Sequence, residues 1–196
     1  MQIRTLRALP LVVLLLIPAC SREDERMPQA APGGGFVPAK ASNLTYEAPS
    51  GWIAESPSSR MRRAQYRLPR ADGDPEDGEM VVFYFPGQGG SVEANIDRWI
   101  GMFTKADGSS VTGDTKRETT TVNGLAVTTI DVEGVYTNRS MGPMSGQAAP
   151  KPDYRMLAAI VETPGGPWFF KLTGPRKTVG KWEESFEEFV ETIRPS

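Results

Sequence analysis

The sequence predicts an α+β fold, a largely antiparallel β-sheet flanked by two amphipathic helices. Three observations lead there. Seven segments between residues 44 and 173 are rich in β-branched and aromatic residues, the composition of strands. Asn123-Gly124 and Pro164-Gly165-Gly166-Pro167 each separate two such segments by a hairpin-sized turn. Two further segments repeat apolar residues at helical spacing.

Taken in order, Leu44 to Ala48 is a short strand stopped by Pro49. Arg63 to Leu68 alternates, placing Ala64, Tyr66 and Leu68 on one face. Met80 to Phe85 is nearly continuously apolar, as in a central strand covered on both sides. The first helix starts at Ser91, a suitable N-cap, with Glu93 near its positive end. Its stripe is Val92, Ile96, Trp99, Ile100 and Phe103. Arg117 to Val122 and Leu125 to Tyr136 flank Asn123-Gly124, whose residues tolerate the positive φ of a type I′ turn. Tyr154 to Glu162 and Trp168 to Thr173 form the second hairpin. The last helix begins near Thr178, with Val179, Trp182, Phe186, Phe189, Val190 and Ile193 as its buried stripe and five glutamates on the other side.

The N-terminus has a different character. Arg4 and Arg7 precede an apolar run from Leu9 to Ala19, too short to cross a bilayer and shaped like a secretory signal. The run ends in Ile17-Pro18-Ala19-Cys20, which resembles the lipobox of bacterial lipoproteins, with Pro18 an unusual occupant of its place. That resemblance implies cleavage before Cys20, a diacylglycerol on its thiol, and often a further acyl chain on the new amine. Several chains hold stably where one holds marginally. Ser21 resembles the outer-membrane-directed type, which places the protein on the periplasmic side of that membrane in a Gram-negative cell. Cys20 is the sole cysteine, so no intrachain disulfide forms. The expected organisation is a signal over 1–19, a lipidated Cys20 with a Pro/Gly/Ala-rich flexible tether to residue 42, and one domain over 43–196. Loss of Arg4 and Arg7 moves the net charge from −2 to −4, which argues against nucleic acid as a partner.

The element order and three runs resemble the Mog1/PsbP-like fold, an α/β/α sandwich. The runs are Tyr46-Glu47-Ala48-Pro49-Ser50-Gly51-Trp52, the passage from Val81 to Trp99, and Trp168-Phe169-Phe170-Lys171-Leu172-Thr173-Gly174-Pro175. These motifs are structural, so the resemblance implies a fold and a non-enzymatic accessory or binding role, and it supplies no functional residues.

Candidate chemistry is sparse. The chain has no His, which removes the commonest general base and metal ligand. No Gly-x-Ser-x-Gly elbow, Ser-x-x-Lys run or phosphate-cradling glycine motif occurs. Asp72, Asp74, Glu76, Asp77 and Glu79 crowd one loop, and Asp72, Asp74 and Asp77 are weak candidates for Ca²⁺. The pattern departs from an EF-hand, with Phe83 where the bidentate Glu belongs, and a solvated hairpin loop is the better reading. Thr137 to Asp153 reads as a long loop in which Met141 and Met144 are candidates for partner contact, plain disorder and a poor two-thioether Cu(I) site being the other readings. Arg60, Arg62, Arg63, Arg67 and Arg70 form a basic run that the neighbouring acids are expected to neutralise. Asn43-Leu44-Thr45 and Asn138-Arg139-Ser140 match glycosylation sequons, a modification not expected of a bacterial lipoprotein. The sequence therefore predicts an envelope protein held to a membrane through Cys20, without cofactor, acting as a non-enzymatic module for another envelope protein. A small-ligand or Ca²⁺-binding protein and an unfamiliar hydrolase are the alternatives.

Overall fold

The hairpins set the frame. In the computed structural model, which describes residues 43–87, 89–137 and 149–196, Asn123 and Gly124 have φ of 49° and 82°, both positive as the turn requires. They join β6 (Lys116–Val122) to β7 (Leu125–Tyr136) in an unbroken antiparallel ladder. The Pro-Gly-Gly-Pro turn joins β8 (Lys151–Val161) to β9 (Trp168–Pro175). Further strands are β1 (Leu44–Thr45), β2 (Ile53–Glu55), β3 (Arg62–Leu68), β4 (Gly78–Tyr84), β5 (Phe103–Thr104) and β10 (Arg194–Pro195). The main sheet runs β2-β3-β4-β9-β8-β7-β5, with β6 also on β7, and every pairing in it is antiparallel. β1 and β10 form a separate two-stranded sheet.

Helices cover both sides. Phe170 and Leu172 point to one face of β9 and Phe169 to the other, because strand side chains alternate. On the first face the core gathers Leu68, Met80, Val82, Phe170 and Leu172 against Val179 of α2 (Arg176–Lys181) and Phe186, Phe189 and Val190 of α3 (Glu183–Thr192). On the second, Ile130, Val132, Met156, Ala158, Ile160 and Phe169 pack under Ile96 and Trp99 of α1 (Val92–Ile100). The layers are helix, sheet, helix, as expected. The Ser91 hydroxyl caps α1 by accepting from the Ala94 amide at 3.2 Å.

Three expectations change. Phe103 leaves the first helix: α1 closes at Gly101 and Phe103 pairs with Tyr136 as part of β5. The last helix is two helices broken at Trp182, whose φ of −105° and ψ of 8° are not helical. Trp182 is held there by its indole N–H donating to the Pro69 carbonyl at 2.9 Å. The same indole presses on Gly51, where an added Cβ would lie 2.8 Å from the ring and φ is +89°, so only glycine fits. The loop expected from Thr137 to Asp153 also ends earlier, since Lys151, Pro152 and Asp153 belong to β8.

Close approach of α2 to the sheet follows from a second glycine pair. Gly78 and Gly174 face each other on β4 and β9, where a Cβ on Gly174 would come within 2.9 Å of the Gly78 Cα. That flat spot lets Thr178 and Val179 bury completely.

Candidate functional site

Most of the polar groups singled out in the sequence are consumed by the fold. Asp74 is the missing cap of α2. Pro175 at the N-cap has no side-chain oxygen to offer, and Asp74 Oδ2 instead accepts from the Thr178 amide at 2.8 Å and the Thr178 hydroxyl at 2.6 Å. Asp77 accepts from the Arg70 amide at 2.9 Å and from Arg67 at 2.9 Å; that amide, then the guanidinium, hold its carboxyl below the ordinary range. Glu76 accepts from Lys151 at 2.6 Å and from the Tyr154 hydroxyl. Burial would raise the Glu76 carboxyl, but these two donors outweigh it and lower it. Burial, then Glu76, push the Tyr154 hydroxyl up to about 12. Asp72 is exposed. The three proposed Ca²⁺ ligands are thus not turned toward one point, and among the described residues no three His, Cys, Asp or Glu gather where they could hold a metal ion.

Of the five arginines of the basic run, Arg62 and Arg67 pair with acids as expected, while the Arg70 guanidinium donates to the Pro75 carbonyl at 3.1 Å. Arg62 meets Glu79 at 2.6 Å, Arg67 meets Glu55 at 3.1 Å as well as Asp77, and Arg63 lies 5.5 Å above the Tyr84 ring. Met141, Met144 and Cys20 lie outside the described residues.

One polar arrangement was not read from the sequence. Register places Gln65, Val81, Lys171, Ala158 and Ile130 in one row across β3, β4, β9, β8 and β7 on the α1 side of the sheet. The next row holds Arg67, Glu79, Thr173, Met156 and Val132. The apolar residues α1 covers are those of β7, β8 and β9, so the β3–β4 side of this face carries the charges. Lys171 stands at the border. Its stem is walled by Val81, Ala158 and Phe169, all nearly inaccessible, and its residue is only partly exposed. Burial pulls the Lys171 ammonium down to about 8; Glu79 works the other way, while Arg98 and Arg62 add to the depression. No described residue gives it a hydrogen bond or ion pair. Two residues along the same face, the Thr173 hydroxyl is buried without a partner among the described residues. A signal was present: in Phe169-Phe170-Lys171-Leu172 a lone cation interrupts a central apolar strand.

Two shallow depressions also open on the surface. One of about 510 Å³ lies beside Ser91, Glu93, Arg117, Thr119 and Glu162, and is crossed by the Arg117–Glu93 pair at 2.5 Å. The other, about 410 Å³, lies by Asp97, Phe103 and Ser110.

No protein-family model and no curated protein sequence matches the chain. Among solved structures it is similar to PA94, a protein of unknown function from Pseudomonas aeruginosa, at 11% identity and a TM-score of 0.49, covering 74% of this chain and 97% of that one. It is also similar to the cyanobacterial PsbP of Synechocystis, at 13% identity and a TM-score of 0.43, covering 87% of this chain and all of that one.

Proposed function

We propose that the chain is a lipid-anchored protein of a bacterial envelope, and that its domain over 43–196 is a non-enzymatic binding or accessory module of Mog1/PsbP-like type. The observation that carries the reading is the run Leu15-Leu16-Ile17-Pro18-Ala19-Cys20, an apolar signal ending in the sole cysteine. Two further features support it. The absence of His removes the commonest general base, and Glu76 and Asp77 of the acidic loop are engaged by Lys151 and Arg67. The mature net charge of −4 suits a protein partner better than a polyanion.

Expression of the full chain in a bacterial host, with the mature protein weighed intact, tests the anchor. The expected mass begins at Cys20 and carries a diacylglycerol increment, and Cys20→Ser abolishes both the increment and partition into membranes. A parent mass without acyl groups, or a Cys20→Ser chain that still partitions with membranes, overturns the reading. Cross-linking in intact cells should then recover one specific envelope protein; recovery of none would leave the chain anchored without the module role and end that half of the proposal.

A further inference from the structure

The geometry points to Asn123 as a self-modification site, whose side-chain amide is lost once the end of α3 opens and whose acid product keeps that end from closing again. It goes beyond the anchored-module reading and does not depend on it.

Two neighbouring residues set the chemistry. Asn123 and Gly124 are both exposed at the β6–β7 turn. Glycine leaves its own backbone nitrogen unshielded, because it carries no side chain. The Gly124 nitrogen bonds to Asn123 Cγ, the Cγ–Nδ2 bond breaks, and the departing Nδ2 takes the Gly124 amide proton to leave as ammonia. Water then opens the cyclic imide at either of its carbonyls. One opening yields aspartate, the other an isoaspartate whose main chain runs through the former side chain. Nothing is oxidised or reduced, and water is the sole co-reactant.

The closed fold withholds this step. Asn123 Nδ2 donates to the Glu191 carbonyl at 2.9 Å and to the Ile193 carbonyl at 2.8 Å. The side-chain amide is thereby pinned to the end of α3, and Cγ turns toward Gly124 only by giving up those bonds. The turn adds a second restraint. Its φ of 49° and 82° belong to the hairpin that keeps Val122 opposite Leu125. Reaction therefore needs a local opening, and its rate follows the population of the opened form.

The product does not fit the place it leaves. An aspartate has no N–H to offer the Glu191 and Ile193 carbonyls, and it brings negative charge to the negative end of a helix dipole. Isoaspartate also lengthens the backbone of the turn, which a two-residue hairpin loop absorbs only by losing its register. The damage stays local. Ile193 is fully buried and its amide donates to the Val190 carbonyl at 3.2 Å, so α3 remains seated. What loosens is the pairing beyond it, of Arg194 and Pro195 with Thr45 and Leu44, and of the Ser196 amide with the Asn43 carbonyl at 2.9 Å.

The test follows the mass of the peptide containing Asn123, cut from the full chain after incubation at mildly alkaline pH, folded in detergent or unfolded in guanidinium chloride. The unfolded chain is expected to gain the acid at Asn123, as aspartate and isoaspartate that chromatography separates. Asn43 and Asn95, followed by the bulky Leu44 and Ile96, should keep their amides under the same conditions. In the folded chain the conversion should run slower by about tenfold or more, since two hydrogen bonds must open first. Asn123→Gly keeps a turn of positive φ and has no amide to lose, so the mass gain should vanish with it. Asn123→Asp carries the product into a folded protein, because aspartate tolerates the positive φ. In that variant, hydrogen exchange of the Ser196 amide should quicken by about tenfold while Phe186 and Val190 match the parent. The proposal falls if the unfolded chain keeps Asn123 intact or if the gain survives Asn123→Gly. It falls equally if the folded chain converts as fast as the unfolded one, or if Asn123→Asp leaves exchange at Ser196 unchanged.

Discussion

Arg155 on β8 and Lys171 on the neighbouring β9 are both basic residues inside the main sheet, on opposite faces. Under α2 and α3, Arg155 is 7% exposed and fully occupied: Asp131 takes Nε and Nη2 at 2.8 and 2.9 Å, and Glu183 takes Nη1 and Nη2 at 2.8 and 2.5 Å. The Asp131 hydrogen bonds, then those of Glu183, lift the guanidinium above its ordinary value against the opposing pull of burial. On the α1 side, Lys171 has no such partner among the described residues and moves the other way. A charge enclosed with all its counter-groups becomes a fastener: Arg155 ties β7 and β8 to the first residue of α3, at the break made by Trp182. A charge half-enclosed without them is a cost that the fold carries on its own.

The largest effect should come from breaking the fastener. Arg155→Ala leaves the half-buried Asp131 with only the exposed Lys116 at 3.3 Å, and chemical denaturation should show a loss of about 3 kcal/mol. Replacing two members of the network, Arg155→Met with Asp131→Leu, should recover most of that loss, because the charges left over, Glu183 and Lys116, are exposed enough for water to serve them. On the other face the sign reverses. Lys171→Met should stabilise the protein at neutral pH by about 1–3 kcal/mol. Its folded-state value is depressed, from 10.5 to about 8, so the penalty it removes is fully present below about pH 8 and fades as pH rises toward 10.5. Melts of parent and variant should therefore converge across that interval, and parallel curves would mean that Lys171 is not desolvated.

Asp74→Ala tests whether the acidic loop is structural. Loss of the α2 cap should cost about 0.5–2 kcal/mol, while calorimetric titration with Ca²⁺ gives no heat in either protein. The smallest effect belongs to acid. Burial raises the Asp131 carboxyl, but Arg155 and then Lys116 outweigh this and hold it below its ordinary 3.8. Its contribution is therefore present above that pH and lost as pH falls through the lower folded value. Asp131→Asn should flatten the acid limb of the stability profile.

Long elements and both hairpins were legible in the sequence because several residues repeat one message in each. Leu125–Tyr136 was bounded as observed, and Ser91 marked the start of α1. The antiparallel α+β class followed from the turns. What escaped was short or distant. β2, β5 and β10 are two or three residues long and exist by pairing alone, so no periodicity announces them. The break at Trp182 depends on Pro69 and Gly51, more than a hundred residues away, while its apolar spacing reads as a continuous stripe. Local crowding of acids suggested a shared ligand, but Asp74 serves Thr178 and Glu76 serves Lys151, contacts made only once the chain has folded. Asn123 was read for its turn, yet its side chain also donates to the Glu191 and Ile193 carbonyls at 2.9 and 2.8 Å, closing the end of α3.

The small β1–β10 sheet bears on mechanical load. Leu44 pairs with Pro195 and Thr45 with Arg194, while Ser196 donates its amide and hydroxyl to the Asn43 carbonyl at 2.9 and 2.7 Å. Tension on the chain ahead of Asn43 reaches this clasp before anything else, and two residue pairs opened one after another yield softly. Beyond them the strain arrives at Tyr46, wedged edge-on to Phe170 and Phe189 at 5.5 and 5.3 Å, where resistance to further peeling begins. The clasp thus acts as a slack link, letting a tugged domain give a few residues of length while the main core stays shut.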